Sequence, residues 1–329
     1  MNLKSIPDLM IKDGIDRFIE HIHLARSNNT AHTYRNALEL FKYSLEEHNL
    51  LPSAKLSELS EDAINWFALK LKDYSPATER LYLLVAASFF EFLSAENLLT
   101  PNLPRIRLLI RKRMRRTGQR LPQFPKTQIE EILNNAKIIA SAPVDHEVEH
   151  LRHMRDYAFL LTLADTGLRV HEACQLRRGD IDWNEGKAII IGKGDQQAII
   201  RFSGRVLSVL KDYLNERASL DGSSNRPLTS LPVFARHDRG AGKKIKSITT
   251  TTGRNIVSQY VRDTLGSSAI GTITPHSFRH YFVTTVLHAS GGNLKLAQEL
   301  ARHKNISVTQ RYAHLSDNEL DEGYYDIFG

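Results

Sequence analysis

Residues 301–314 read Ala-Arg-His-Lys-Asn-Ile-Ser-Val-Thr-Gln-Arg-Tyr-Ala-His, which puts Tyr312 nine positions after His303 with Arg302, Lys304 and Arg311 nearby. A phenol, with a reference pKa of about 10, is a poor nucleophile on its own. Cationic neighbours and a proton acceptor are what make one useful. Two arginines upstream fit an anionic substrate: Arg169 after Thr166-Gly167-Leu168, and Arg279 within His276-Ser277-Phe278-Arg279-His280. Residues three apart share a helix face, so His276 and Arg279 can meet one ligand. A guanidinium offers a planar, permanently charged fork that takes a phosphate through two hydrogen bonds. Taken singly, each arginine reads as an ordinary surface ion-pair residue. Glu172, three positions after Arg169, is the carboxylate that would pair with it or orient it.

The chain that must position these groups has 329 residues, enough for two domains with separate cores. A net charge of +7 and a pI near 9.4 suggest an anionic partner, nucleic acid being the commonest. One cysteine, Cys174, excludes an internal disulfide and a multi-cysteine zinc site, and fits a reducing compartment. Asp8, Lys12, Asp13, Asp16 and Arg17 interrupt the early apolar residues, so no signal-peptide pattern opens the sequence. No apolar run approaches a membrane span. The expectation is a cytoplasmic protein, nucleoid-associated when bound to DNA, with no membrane partner.

Residues 1–100 read as helices. Leu9, Ile11, Ile15, Phe18, Ile19 and Ile22 recur at helical spacing. A second helix opens near Asn29 or Thr30 and buries Tyr34, Leu38, Phe41 and Leu45. Ser60 reads as an N-cap, with Glu61 and Asp62 in the first turn of a short helix carrying Ile64 and Phe67. Ser75-Pro76 opens a fourth helix with Leu81, Leu84, Val85, Phe89 and Phe92 on its apolar side. These four form a bundle, residues 1–104, that the prolines of 97–104 bring to an end.

Residues 105–120 carry Arg105, Arg107, Arg111, Lys112, Arg113, Arg115, Arg116 and Arg120 without a carboxylate. Self-repulsion would hold this stretch extended as an interdomain linker, and contact with a phosphate backbone would relieve it. The plain alternative is a solvated linker.

In residues 121–329 the pattern changes to helices over 126–140, 155–166 and 206–218, with a hairpin over 186–202 whose turn, Gly192-Lys193-Gly194-Asp195, carries one lysine. Residues 219–250 read as a loop with a short strand at Val233-Phe234. Thr274-Pro275 opens a helix that Gly291-Gly292 breaks, and two short helices follow at 294–301 and 307–313. The expected fold is mainly α: an N-terminal four-helix-type bundle, then a mostly helical domain with a small antiparallel β-sheet.

Four segments together resemble the tyrosine recombinases, the phage-integrase family. Thr166-Gly167-Leu168-Arg169-Val170-His171-Glu172-Ala173-Cys174-Gln175-Leu176, followed by Asp180-Ile181-Asp182, is similar to the family's first arginine box. Gly192-Lys193-Gly194 is similar to its hairpin lysine, and His276-Ser277-Phe278-Arg279-His280 to its second box. Leu300-Ala301-Arg302-His303 with Thr309-Gln310-Arg311-Tyr312-Ala313-His314 resembles the terminal box.

The resemblance implies a site-specific DNA recombinase. Tyr312 would attack the scissile phosphate and leave a 3′-phosphotyrosine and a 5′-hydroxyl. Arg169 and Arg279 would clamp the phosphate, Lys193 would protonate the leaving oxygen, His276 would accept or position a proton, His303 would hydrogen-bond a non-bridging oxygen, and Glu172 would support them. It implies no cofactor and no metal. The partner it implies is double-stranded DNA with inverted half-sites, bound by four subunits on two duplexes. The bundle would be a core-binding domain, with no arm-binding domain ahead of it. In the tail, Leu320, Tyr324, Ile327 and Phe328 lie on one helical face after Ser316-Asp317, and would form the helix exchanged between subunits. Three places depart from the family's pattern: Ala301-Arg302 where a glycine usually precedes the histidine, His171 where a small residue is usual, and Gln196-Gln197 in place of basic residues.

Integration and excision of a mobile element is the leading role, with resolution of replicon dimers in the manner of Xer recombinases as the alternative. A type IB topoisomerase would use a similar residue set, and a catalytically silent DNA-binding protein would lack one of the six groups. A different class is raised by His146-Glu147-Val148-Glu149-His150, which fits the zinc-protease pattern with Glu172 as a downstream third ligand. Its short, strongly charged setting speaks against a buried metal. Gly240-Ala241-Gly242-Lys243-Lys244 lacks the first glycine and the hydroxyl of a phosphate loop.

Overall fold

The computed structural model describes residues 9–115, 125–191, 197–238, 245–310 and 312. Lys193, Arg116, Arg120 and the tail after Tyr312 lie outside them. The chain divides into two compact units, Met1–Gln119 and Arg120–Gly329.

The first unit contains α1 (Ile11–Ala25), α2 (Asn28–Glu46), α3 (Ala63–Lys70), α4 (Pro76–Ala95) and α5 (Leu103–Arg113). Ile11, Ile15, Phe18, Ile19 and Ile22 of α1 are buried together with Leu38, Phe41 and Leu45 of α2 and Phe89 and Phe90 of α4. α2 opens at Asn28, one position before the expected Asn29, and Ser27 caps it, its hydroxyl accepting from Thr30 N at 3.4 Å. Ser75 caps α4, accepting from Thr78 N at 3.2 Å.

Two expectations fail here. Ser60 is not the cap of α3, because Glu61 and Asp62 turn instead toward Asn102 and Arg105. Leu81 and Leu84 are exposed, whereas Leu83, Ala86, Phe90 and Leu93 are buried.

Both differences trace to α5. The stretch expected to be an extended linker is a helix from Leu103, capped by Asn102, whose Oδ1 accepts from Arg105 N at 3.0 Å. It buries Ile106 and Ile110 in the bundle core and packs on α3 and α4. The carboxylates missing from its sequence are supplied by folding. Arg105 pairs with Glu61 and Asp62, Arg107 with Glu91, and Arg115 with the buried Glu79. Arg111, Lys112 and Arg113 are exposed and pair with no carboxylate among the described residues.

The second unit comprises α6 (Lys126–Ser141), α7 (Glu147–Thr166), α8 (Val170–Gln175), β1 (Ile181–Asp182), β2 (Lys187–Ile191), β3 (Gln197–Arg201), α9 (Gly204–Glu216), α10 (Ala218–Gly222), α11 (Thr250–Leu265), α12 (Pro275–Ala289), α13 (Leu294–Ala301) and α14 (Ile306–Gln310). α7 is its central strut: residues 158–164 are buried without a break, and α6, α9 and α12 pack around it. It starts at Glu147, before the expected residue 155: its first turn is mostly polar and not buried, and Leu151 already joins the core. The sheet is antiparallel in the order β1-β2-β3, with Ile189 opposite Ile199. Val233 and Phe234 are buried but form no strand. Arg217, fully buried, holds that loop by donating to the carbonyls of Pro232 and Val233 while pairing with Asp221.

At the end of α7, Gly167 sits at φ +59°, and a Cβ there would lie 2.5 Å from the Phe282 ring. Only glycine fits both conditions.

Because α5 is part of the bundle core, Ile106→Ala should lower the stability of the first unit by about 2–5 kcal/mol in urea unfolding. No loss would mean that the segment does not pack there.

Candidate active site

The site is assembled at the ends of helices. Gly167 turns the chain out of α7 and sets Arg169 as the N-cap of α8. Glu172, one turn on, is only 3% exposed. Its carboxylate accepts from Arg169 N and Arg169 Nη1, each at 2.9 Å, and from Arg302 Nη2 at 3.1 Å. Burial raises the pKa of this carboxyl, but the charge of Arg302 and the hydrogen bonds and charge of Arg169 outweigh it and hold the group below the ordinary range. It is ionised at neutral pH.

Arg279, on α12, is buried and reaches back to the same turn. Its Nη1 donates to Gly167 O at 2.5 Å and its Nη2 to Ala301 O. Burial, then Arg169 and Arg302, bring its pKa down to about 10, so it remains charged. The Arg169 side chain is 47% exposed. One arginine is therefore locked inward on carbonyls, and the other faces out with one edge fixed by Glu172.

On α12, His276 and His280 lie four residues apart, with ring centroids 4.3 Å apart in an edge-to-face pair. The His280 ring is 5.0 Å from that of Tyr312. His303 stacks nearly parallel to Tyr312 at 6.5 Å, and its Nδ1 meets the buried Thr309 hydroxyl at 2.9 Å. Tyr312 is 7% exposed, packed with Val283, Leu287, Ala297 and Ala301.

Desolvation, reinforced by Arg279 and Arg169, lowers the pKa of His276. His303 is pushed down to about 4, by burial and then by Arg279 and Arg169. His280 falls to about 4 through burial, then His276 and Arg279. All three imidazoles are neutral at physiological pH, so each can accept a proton or donate one N–H.

Of the residues singled out in the sequence, Arg169, Glu172, His276, Arg279, His303 and Tyr312 are thus gathered by four separate segments. Lys193 lies outside the described residues, and β2 and β3 are described on either side of it. His146 is the exposed N-cap of α7, and Glu172 is committed to two arginines. No group of three His, Cys, Asp or Glu side chains among the described residues could hold a metal. A groove of about 890 Å³ runs from Glu172 along β2 and is lined by Arg177, Arg226 and Lys246.

Three participants escaped the sequence reading. His280 had a signal, its four-residue spacing from His276 on one helix face. Thr309 had none, and Arg302 showed only as a departure from the family's glycine.

The residues from 123 to 319 match the phage integrase family model. The chain belongs to the phage integrase family. It is thereby a tyrosine-type enzyme of DNA strand breakage and rejoining. Similar to it is tyrosine recombinase XerD of Oceanobacillus iheyensis, 28% identical over 325 residues that cover 96% of this chain and 98% of that one. Its fold resembles that of the Tn1549 transposon integrase in complex with a circular intermediate DNA, with a TM-score of 0.68, 18% identity, and coverage of 97% and 99%. It also resembles XerH site-specific recombinase bound to difH substrate, with a TM-score of 0.66, 18% identity, and coverage of 95% and 84%. These likenesses show the integrase fold, including the small sheet. No described helix is long and apolar enough to cross a membrane.

The neutral histidines make a pH prediction. In the unfolded chain a histidine titrates near about 6.5, whereas folded His280 and His303 hold out until about 4. Between these values the unfolded state binds protons that the folded state refuses, so stability present above the unfolded pKa is lost as pH falls toward the folded one. The urea midpoint should drop through this window, and the drop should be shallower in His303→Asn. Equal slopes in the two proteins would contradict the assignment.

Proposed function

We propose that this recombinase cleaves one phosphodiester at a time with Tyr312 and acts at inverted half-sites to integrate and excise a mobile element. The observation that carries the residue assignment is the meeting of Tyr312, two histidines and two arginines contributed by segments more than a hundred residues apart. Arg169, facing outward, and Arg279, fixed on Gly167 and Ala301, bind the non-bridging oxygens of the scissile phosphate and stabilise the charge that grows on them in the transition state.

The Tyr312 oxygen attacks phosphorus and gives up its proton to neutral His276, directly or through water. The bond from phosphorus to the 5′-oxygen breaks, and Lys193 protonates that oxygen as it leaves. His303, oriented by Thr309, hydrogen-bonds the transferring phosphoryl group. The tyrosyl phosphodiester keeps the energy of the broken bond, so a 5′-hydroxyl from a second strand can displace the tyrosine without a cofactor or metal.

The first unit acts as the core-binding domain. With Arg105, Arg107 and Arg115 engaged by carboxylates, Arg111, Lys112 and Arg113 are, among the described residues of that stretch, the cations most free to meet DNA phosphates. Four subunits on two duplexes, joined through the apolar face of Leu320, Tyr324, Ile327 and Phe328, complete the reading; those residues lie outside the described ones. Such a complex would be found with the nucleoid. A second role, resolution of replicon dimers, is favoured by the likeness to a protein named XerD over nearly the whole of both chains.

The test is incubation with a nicked suicide DNA substrate. The unaltered protein should form a covalent adduct and Tyr312→Phe none. Arg169→Ala and Arg279→Ala should bind DNA yet cleave roughly a hundredfold more slowly or worse. An adduct that persists in Tyr312→Phe would reassign the nucleophile.

A further inference from the structure

We propose that Arg302 is a positioning residue, one that sets His303 against Arg169 by gripping Glu172. This deepens the recombinase reading above and rests on it. Arg302 is the residue at which α13 ends, with φ +57° and ψ 45°. Arg302 N donates to Glu299 O and His303 N to Gln298 O, each at 3.0 Å, the paired closure that ends a helix through a left-handed residue. Glycine adopts that conformation freely, and a side chain there is strained. An arginine at this point therefore needs a compensating interaction.

The compensation is visible. The Arg302 side chain is 11% exposed and runs to the turn that begins the site, where Nη2 meets Glu172 Oε2 at 3.1 Å and Gly167 O at 3.4 Å. Arg169 holds the other oxygen of the same carboxylate, Oε1. The two guanidinium groups do not compete, since one carboxylate spans both and links residues 130 apart in the chain. His303 is the next residue after Arg302, and its backbone lies within the same helix closure. The carboxylate clamp thus fixes the start of the terminal segment relative to Arg169. Arg302 Nε is buried without a hydrogen-bond partner, so the guanidinium is held by its far end alone.

Glycine at this position gives a clean test, because Arg302→Gly keeps the left-handed closure and removes only the clamp. With the full-length protein and the nicked suicide substrate in single turnover, Arg302→Gly should melt no lower than the unaltered protein. It should bind DNA as tightly but form the adduct about tenfold more slowly or worse. Arg302→Lys, which keeps the charge without the fork, should recover part of the rate. In a Glu172→Gln background, Arg302→Gly should cost little more. An unchanged rate in Arg302→Gly overturns the inference. So does a loss confined to DNA affinity, which would make Arg302 a phosphate contact, and so does an equal loss in both backgrounds. If the unaltered protein forms no adduct, the recombinase reading itself fails. An adduct with an indifferent Arg302 overturns the positioning role alone.

Discussion

The site depends on one buried carboxylate shared among arginines. Glu172 has two oxygens and accepts from the backbone and side chain of Arg169 and from Arg302, while Arg279 and Arg302 converge on the neighbouring Gly167 carbonyl. Two guanidinium groups therefore hold one carboxylate, and a third shares the Gly167 carbonyl beside it. Buried charge left uncompensated is costly, and a phosphate entering between the arginines would supply the missing negative charge. In the proposed reaction that excess would meet the charge that builds on a phosphorane with groups already in position. Neutral histidines complete the balance: burial, reinforced by the nearby arginines, keeps His276, His280 and His303 unprotonated.

Gly167 shows how closely the fold serves this arrangement. Its left-handed turn ends the central helix, leaves no room for a side chain against Phe282, and presents its carbonyl to two arginines. The same few residues close a helix, aim Arg169 outward and anchor Arg279 inward. Moving any of them would disturb packing and chemistry together, because backbone geometry is their common support.

Much of this could be read in the sequence because the reactive groups sit in short segments with strong local rules. Thr166 to Leu176 and His276 to His280 each place their functional residues within a turn of helix, and their order along the chain carries the likeness to the family. The helical bundle and the hairpin were legible from periodicity for the same reason. What was not legible depended on distant partners. The basic stretch looked unopposed because Glu61, Asp62, Glu79 and Glu91 lie 16 to 44 residues from the arginines they meet, and only folding brings them to Arg105, Arg107 and Arg115. With α5 unseen, the apolar side of α4 was placed wrongly at Leu81 and Leu84. Arg302 appeared only as a departure from a glycine, since neither its left-handed backbone nor its reach to Glu172 is written locally.

The claim at the centre of this account is that the negative charge of Glu172 organises the arginines for chemistry. The most direct measurement is the single-turnover rate of covalent adduct formation by Glu172→Gln, with DNA affinity and thermal melting followed in parallel. The amide keeps the shape of the side chain and removes its charge. Cleavage should fall by roughly tenfold or more while DNA binding is retained. Cleavage at the unaltered rate, with the protein folded and bound to DNA, would contradict the account.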